Sequence, residues 1–411
     1  MTDWHTLDAD GWDDFERDDY ASYYFTDKNL GSADRIEIKG DGWALDWFQM
    51  FGYDKVTLPS NDRWFNNNVR SFGLTDRRQG DGTAADPYRV SFDKDQTVYA
   101  VRKGCYARFN EYWVLDLGGH TLTLDSGYRL ADVFQVGNFG NLTVKNGKIN
   151  INGNIKGNND DYRGFGVYGG TLNLGDSDDN TTLEIYGGQN KLIDSSGKGG
   201  GVYVEEPKGA ATHLNIYKGT TIHDCFSRNG GGVYLGDGAV MKTKGGEIRD
   251  CSATHTGAGI CMDEGSTAII DGTTIKDSTA SVQGGGIYNV GDRTTKDCKI
   301  TGNKATGGDS YIRGGGIYYS ADTRESALKL KDGTVITGNE ADSGGSLYSD
   351  MKVNVYDWGK SPSLSGVVKI YGNNAKSYSN YGGGFDNAGR APFKLESDLR
   401  AESYTCYSRA K

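Results

Sequence analysis

Along most of the chain, apolar residues alternate with polar ones over three to six positions. Trp113-Val114-Leu115-Asp116-Leu117, Leu142-Thr143-Val144, Leu172-Asn173-Leu174, Leu183-Glu184-Ile185, Leu214-Asn215-Ile216 and Leu328-Lys329-Leu330 all follow this rule. A period of two is the signature of a half-buried strand, and no 3.6-residue period runs through the repeats. Glycines punctuate the short apolar runs and mark the bends between them.

The strands belong to a repeat. A Gly-Gly-Gly-apolar-Tyr element occurs at Gly199–Tyr203, Gly230–Tyr234, Gly284–Tyr288 and Gly314–Tyr318, with variant copies at Gly257–Cys261, Gly344–Tyr348 and Gly382–Asp386. Successive copies start 31, 27, 27, 30, 30 and 38 residues apart. A second element precedes the glycines: Ile222-His223-Asp224-Cys225, Ile248-Arg249-Asp250-Cys251 and Ile275-Lys276-Asp277-Ser278, then Ile300-Thr301-Gly302-Asn303, Ile336-Thr337-Gly338-Asn339 and Ile370-Tyr371-Gly372-Asn373. Three short strands per repeat with no room for a helix predict one coil of a parallel β-helix, each coil about 4.8 Å above the last. Ile222, Ile248, Ile275, Ile300, Ile336 and Ile370 then form one interior ladder, and Val202, Val233, Ile260, Ile287, Ile317 and Leu347 a second. With the less regular strands upstream, the reading is roughly ten or eleven coils over about 50 Å of axis.

The GGGIY and ITGN elements resemble the repeats of bacterial polymorphic-outer-membrane-protein and adhesin β-helices. Gly80-Asp81-Gly82-Thr83-Ala84-Ala85-Asp86-Pro87-Tyr88-Arg89-Val90 is similar to the segment that opens many such surface domains, and the stretch from Leu115 to Leu122 is similar too. The resemblance covers roughly residues 80–390 and implies an all-β, pectin-lyase-like right-handed parallel β-helix. That fold hosts adhesins, lyases, hydrolases and phage spikes, so the resemblance says little about function.

The ends differ from the middle. Residues 1–75 hold five of the seven Trp and read as a separate acidic cap or attachment unit. A short helix is expected after Asp10, with acids in its first turn. The β-helix is expected over 76–395 and a polar tail over 396–411. The chain carries 45 Lys plus Arg against 55 Asp plus Glu, a net charge of −10. That balance argues against nucleic acid and against an anionic membrane face. No run approaches a membrane-spanning length, so no membrane insertion is expected. The opening Met1-Thr2-Asp3-Trp4-His5 shows no signal-peptide pattern, and the expected location is extracellular or cell-surface.

Several rows carry candidate chemistry. Tyr203, Tyr234, Tyr288, Tyr318 and Tyr348 each follow an inward apolar residue, so alternation turns them outward into an aromatic strip suited to sugar rings. The plainer role for the strip is sheet reinforcement through cross-strand pairs. Asp224, Asp250 and Asp277 stack one coil apart. Calcium is the cofactor such a row would take, as it is between coils of pectate lyases; the plainer role is a turn. Arg249 and Lys276 are expected on the opposite face from these acids, which weakens a lyase. Asn303, Asn339 and Asn373 read as a structural amide ladder. Cys225 and Cys251 occupy equivalent positions on neighbouring coils and read as reduced, with a disulfide as the alternative. The five histidines enter no catalytic motif, and Gly175–Asn180 lacks the Gly and Glu of a calcium loop. The leading expectation is therefore a non-catalytic adhesin-type β-helix binding carbohydrate or a cell-surface protein. The alternatives are a polysaccharide lyase or glycoside hydrolase, and a phage tail or receptor-binding protein.

Overall fold

The computed structural model describes residues 79–100, 107–109, 111–126, 132–137, 139–151, 161–177, 181–191, 197–207, 209–307, 312–320, 327–350 and 363–375, with a few isolated strands outside them. The chain winds as a right-handed parallel β-helix with three faces. The coil from Val233 shows the plan. Val233–Leu235 lies on one face, Ala239–Lys244 on the next and Glu247–Arg249 on the third. Ser252–Thr256 then leads back through a glycine corner to Ile260–Met262, one coil further on.

Equivalent strands pair in parallel from coil to coil. One face has eleven strands, from Tyr88–Ser91 to Lys394–Leu395, and another has ten, from Gln96–Ala100 to Lys369–Tyr371. The third is bent at the glycine corner into two short strands per coil, a division that three strands per repeat does not anticipate.

The register matches the repeat alignment. Ile222 pairs with Ile248, Ile248 with Ile275, Ile275 with Ile300, Ile300 with Ile336 and Ile336 with Ile370. All but the partly buried Ile370 are fully buried, as is the ladder from Val202 to Leu347. The core is thus a continuous stack of aliphatic rows, each coil burying its neighbour's side chains.

The three glycines of the repeat do different work. Gly284 has φ +65°, the left-handed region. A Cβ on Gly285 would sit 2.3 Å from the Lys304 carbonyl oxygen, and one on Gly286 would meet the Gly316 oxygen at 2.6 Å. The corner therefore brings backbone against backbone too closely for side chains.

Of the terminal units, only short strand pairs are described: Arg35–Glu37 with Lys55–Thr57, and Ala44–Leu45 with Trp64–Phe65. The helix expected after Asp10 and the tail 396–411 lie outside the described residues, as do Cys105 and Cys406.

Candidate functional site

The tyrosine row is stacked on a single line, as expected. Tyr203 and Tyr234 have ring centroids 5.5 Å apart, and Tyr288 and Tyr318 5.1 Å apart with planes 3° from parallel. Its exposure is a correction. Tyr203, Tyr234, Tyr318 and Tyr348 are all 7 % exposed or less, and Tyr288 is half-buried. Alternation does turn the rings away from the core, but the glycine corner folds the next surface over them. The residues just before the glycines form their own ladder, Thr256 beside Gln283, Gln283 beside Arg313 and Arg313 beside Ser343. From that row Lys198 Nζ lies 4.7 Å from the Tyr234 ring centroid, and the Arg313 guanidinium 4.7 Å from that of Tyr348.

Two of the hydroxyls are occupied as well. Tyr203 donates to Glu205 and Tyr234 to Asp263. Burial, then these hydrogen bonds and neighbouring negative charge, holds both phenols well above the ordinary range. Upstream the row ends on a buried ion pair, Arg163 Nε to Asp132 Oδ1 at 2.8 Å, with Tyr168 donating to Asp132 Oδ2 at 2.9 Å. This crease is a packed polar seam, and the exposed aromatic strip on which sugar binding rested is absent from it.

The aspartate row lies at the corner between the ten-stranded face and the bent face. Asp224, Asp250 and Asp277 have φ 52°, 51° and 52°, and the same corner is Gly302, Gly338 and Gly372 in later coils. A left-handed turn position admits Gly, Asn or Asp, which explains the choice. Asp224 Oδ2 lies 2.6 Å from His223 Nδ1, and Asp250 Oδ2 accepts from Arg249 Nη1 at 2.5 Å. The expectation that Arg249 faces away from Asp250 is corrected, because the left-handed residue interrupts strand alternation. Lys276 instead bridges to Glu247 at 3.3 Å. Among the described residues no group of three or more His, Cys, Asp or Glu is arranged to hold a metal ion.

Inside the same corner runs the ladder Cys225, Cys251, Ser278, Asn303, Asn339 and Asn373. The two cysteines are free thiols. Cys225 Sγ donates to the His223 carbonyl and Cys251 Sγ to that of Arg249, both at 3.2 Å. Ser278, Asn339 and Asn373 likewise donate to the carbonyl two residues back, at 3.1, 3.1 and 3.0 Å. Cysteine, serine and asparagine thus fill one post, a short donor that ties down the turn.

Outside this corner is an open groove of about 360 Å³, lined by Gln189, Lys191, Asp224, Phe226, Asp250 and Ser252. Phe226 is half-buried. It stacks in register between Gln189 and Ser252, a row that continues through Thr279, Lys304, Glu340 and Asn374. Sequence reasoning found the two acids but missed Phe226, Gln189 and Lys191. The available signal was that Phe226 is the one aromatic at its post, just after the Cys, Ser or Asn of each repeat.

The architecture and register define a right-handed parallel β-helix. No protein-family model matches the chain, and no curated protein matches it. Among solved structures it is similar to the crystal structure of a double mutant of the periplasmic alginate epimerase AlgG, with 10 % identity over 75 % of this chain and 77 % of that one and a TM-score of 0.33. A likeness of that degree has no bearing on substrate or chemistry.

Proposed function

We propose that the chain is a non-catalytic, extracellular or surface-displayed β-helix of adhesin type, and that it binds carbohydrate at the groove beside Asp224 and Asp250. The observation that carries this reading is the groove's lining. It sets one aromatic side chain, Phe226, among two carboxylates, an amide, an ammonium and a hydroxyl around a shallow, open depression of about 360 Å³. A sugar offers an apolar C–H face and a rim of hydroxyls, and a site mixing apolar surface with a few placed polar groups suits both. The carboxylates of Asp224 and Asp250 remain 61 % and 41 % exposed while His223 and Arg249 hold them. Positioned acceptors of that kind cost little to order on binding.

A glycan array with the purified protein, followed by calorimetry on its hits, tests the reading. Phe226→Ala and Asp250→Asn should each weaken the identified glycan about tenfold or more with unchanged melting temperature. Retention of full affinity by both variants removes the groove from the reading, and an array without hits removes carbohydrate.

The Arg249–Asp250 contact favours one second reading, a polysaccharide lyase, since it brings a cation to the groove's acids. Incubation with acidic polysaccharides distinguishes the two. A lyase generates an unsaturated product with ultraviolet absorbance, and a binding protein leaves the polymer intact.

A further inference from the structure

Arg293 is the largest fully buried side chain in the molecule's described part. It sits in strand Asp292–Lys296 in register with Ala268 below and Leu328 above. Its post is therefore an inward one, shared with Met241 and Leu214. A guanidinium has five N–H donors and is cationic at neutral pH. Here Nε, Nη1 and Nη2 have no hydrogen-bond partner among the described residues. The acid next to it in sequence, Asp292, is engaged on the outer surface with Lys329 at 3.3 Å. An uncompensated buried charge costs several kcal/mol, so a stable coil needs something to neutralise it.

Two other buried side chains, one in this coil and one in the next, also hold polar atoms without a partner. Asn289, fully buried in the same coil, donates through Nδ2 to the Gly291 carbonyl at 3.1 Å, while its Oδ1 has no partner. Thr334, fully buried where the next coil turns onto the ten-stranded face, has an unpartnered hydroxyl. The ladder Leu214, Met241, Ala268, Arg293, Leu328 also falls to its smallest member immediately beneath the arginine.

We propose that Arg293 is the centre of a buried site for a small monovalent inorganic anion of halide type, enclosed in the lumen of the coil that runs from Ile287 to Ala305. The guanidinium supplies the charge and the donors, and Ala268, the smallest member of its ladder, lies next to it in register. Burial pulls the guanidinium down to about 9, which leaves it cationic at neutral pH. The ion is trapped as the coils close, so its binding is coupled to folding and appears as stability.

The test is crystallography of protein unfolded and refolded in bromide, beside melting curves in chloride, bromide and methanesulfonate. The expected result is an anomalous bromine peak within hydrogen-bond distance of the Arg293 guanidinium. The melting temperature should be several degrees higher in halide than in methanesulfonate, and Arg293→Met should erase that difference. Water density alone beside Arg293, or an equal halide dependence in Arg293→Met, overturns the proposal. If Arg293→Met does not fold, the anomalous map of the parent protein decides.

Discussion

Tyr318 and Tyr348 stack face to face across neighbouring coils, centroids 5.5 Å apart and planes 8° from parallel, with the Arg313 guanidinium closing over the second ring. Both rings are buried. Removing Tyr318 therefore opens a cavity and takes away the stacking partner of Tyr348, where the loss of an exposed ring would cost under about 0.5 kcal/mol. Tyr318→Ala should destabilise the protein by about 3 kcal/mol in urea unfolding, and Tyr318→Phe, which keeps the stacked ring, by far less. A loss near zero for Tyr318→Ala would return the row to the surface.

The aliphatic ladders make a sharper case. Ile300 is fully buried between Ile275 and Ile336. Asp in its place puts an unpaired carboxylate into the stack and leaves neighbours above and below without their contact. Ile300→Asp should abolish soluble folded protein, whereas Ile300→Val should cost about 1 kcal/mol. Circular dichroism and sedimentation of the two variants check this.

The interior of this molecule was legible in its sequence because each coil repeats it. One wrong assignment in the isoleucine or valine ladders would have broken the spacing, and none did. The tyrosines show where that logic stops. Alternation says which side of a strand a residue takes, and Tyr234 takes the side expected. It does not say what covers that side, and a glycine corner can fold Lys198 over the ring. Arg249 shows the same limit, because Asp250 in a left-handed turn resets the direction of the side chains. Phe226 and Arg293 were missed for a third reason. Each is the exception at its own post, and a search for what repeats passes over what occurs once.

Glycine at the head of each triplet is a backbone requirement. Gly284 has φ +65°, and a Cβ there would lie 2.4 Å from the Ile287 carbonyl oxygen. Gly284→Ala should destabilise by about 2 kcal/mol or more, combining left-handed strain with the clash. The middle position is as tight at Gly285, where a Cβ would lie 2.3 Å from the Lys304 carbonyl oxygen, but one coil is an exception. Ala258 already occupies it in one coil, packed with Ala253 and Ala280. Thermal melts of Gly284→Ala with Ala258→Gly as the control should show a large loss in the first only.

Alkaline pH should unfold the protein partly through its buried thiols. Burial pushes Cys261 up to about 12 and Cys298 up to about 11, from 9.0 in an exposed thiol. Between those values the unfolded chain has released protons that the folded one retains. Stability from these groups is complete below pH 9 and is lost as pH rises through the folded values. Arg293 runs the other way above pH 9, because its folded value lies below its unfolded one. Cys261→Ala should flatten the fall in urea midpoint between about pH 9 and pH 11, by on the order of a few kcal/mol at the upper end. An identical pH profile for variant and parent would show that Cys261 ionises freely in the folded state.

The amide ladder is the last structural element with a specific cost attached. Asn339 is fully buried, and its Nδ2 serves the carbonyls of Ile300 and Thr337 and the side chain of Asn373. Its Oδ1 accepts from the backbone N–H and the amide of Asn303. Leucine has the same branching and number of side-chain heavy atoms, a larger volume, and none of these groups. Asn339→Leu therefore strands two carbonyls and a backbone N–H in the core, each costing about 1–3 kcal/mol when left unpaired. Serine stands at the same post in Ser278, where its hydroxyl reaches the Lys276 carbonyl at 3.1 Å. Asn339→Ser should therefore recover part of the loss despite its smaller volume, because it restores the donor to Thr337. Urea midpoints in the order parent, Asn339→Ser, Asn339→Leu would show that hydrogen bonding sets the stability of this corner. The reverse order of the two variants would show that volume does.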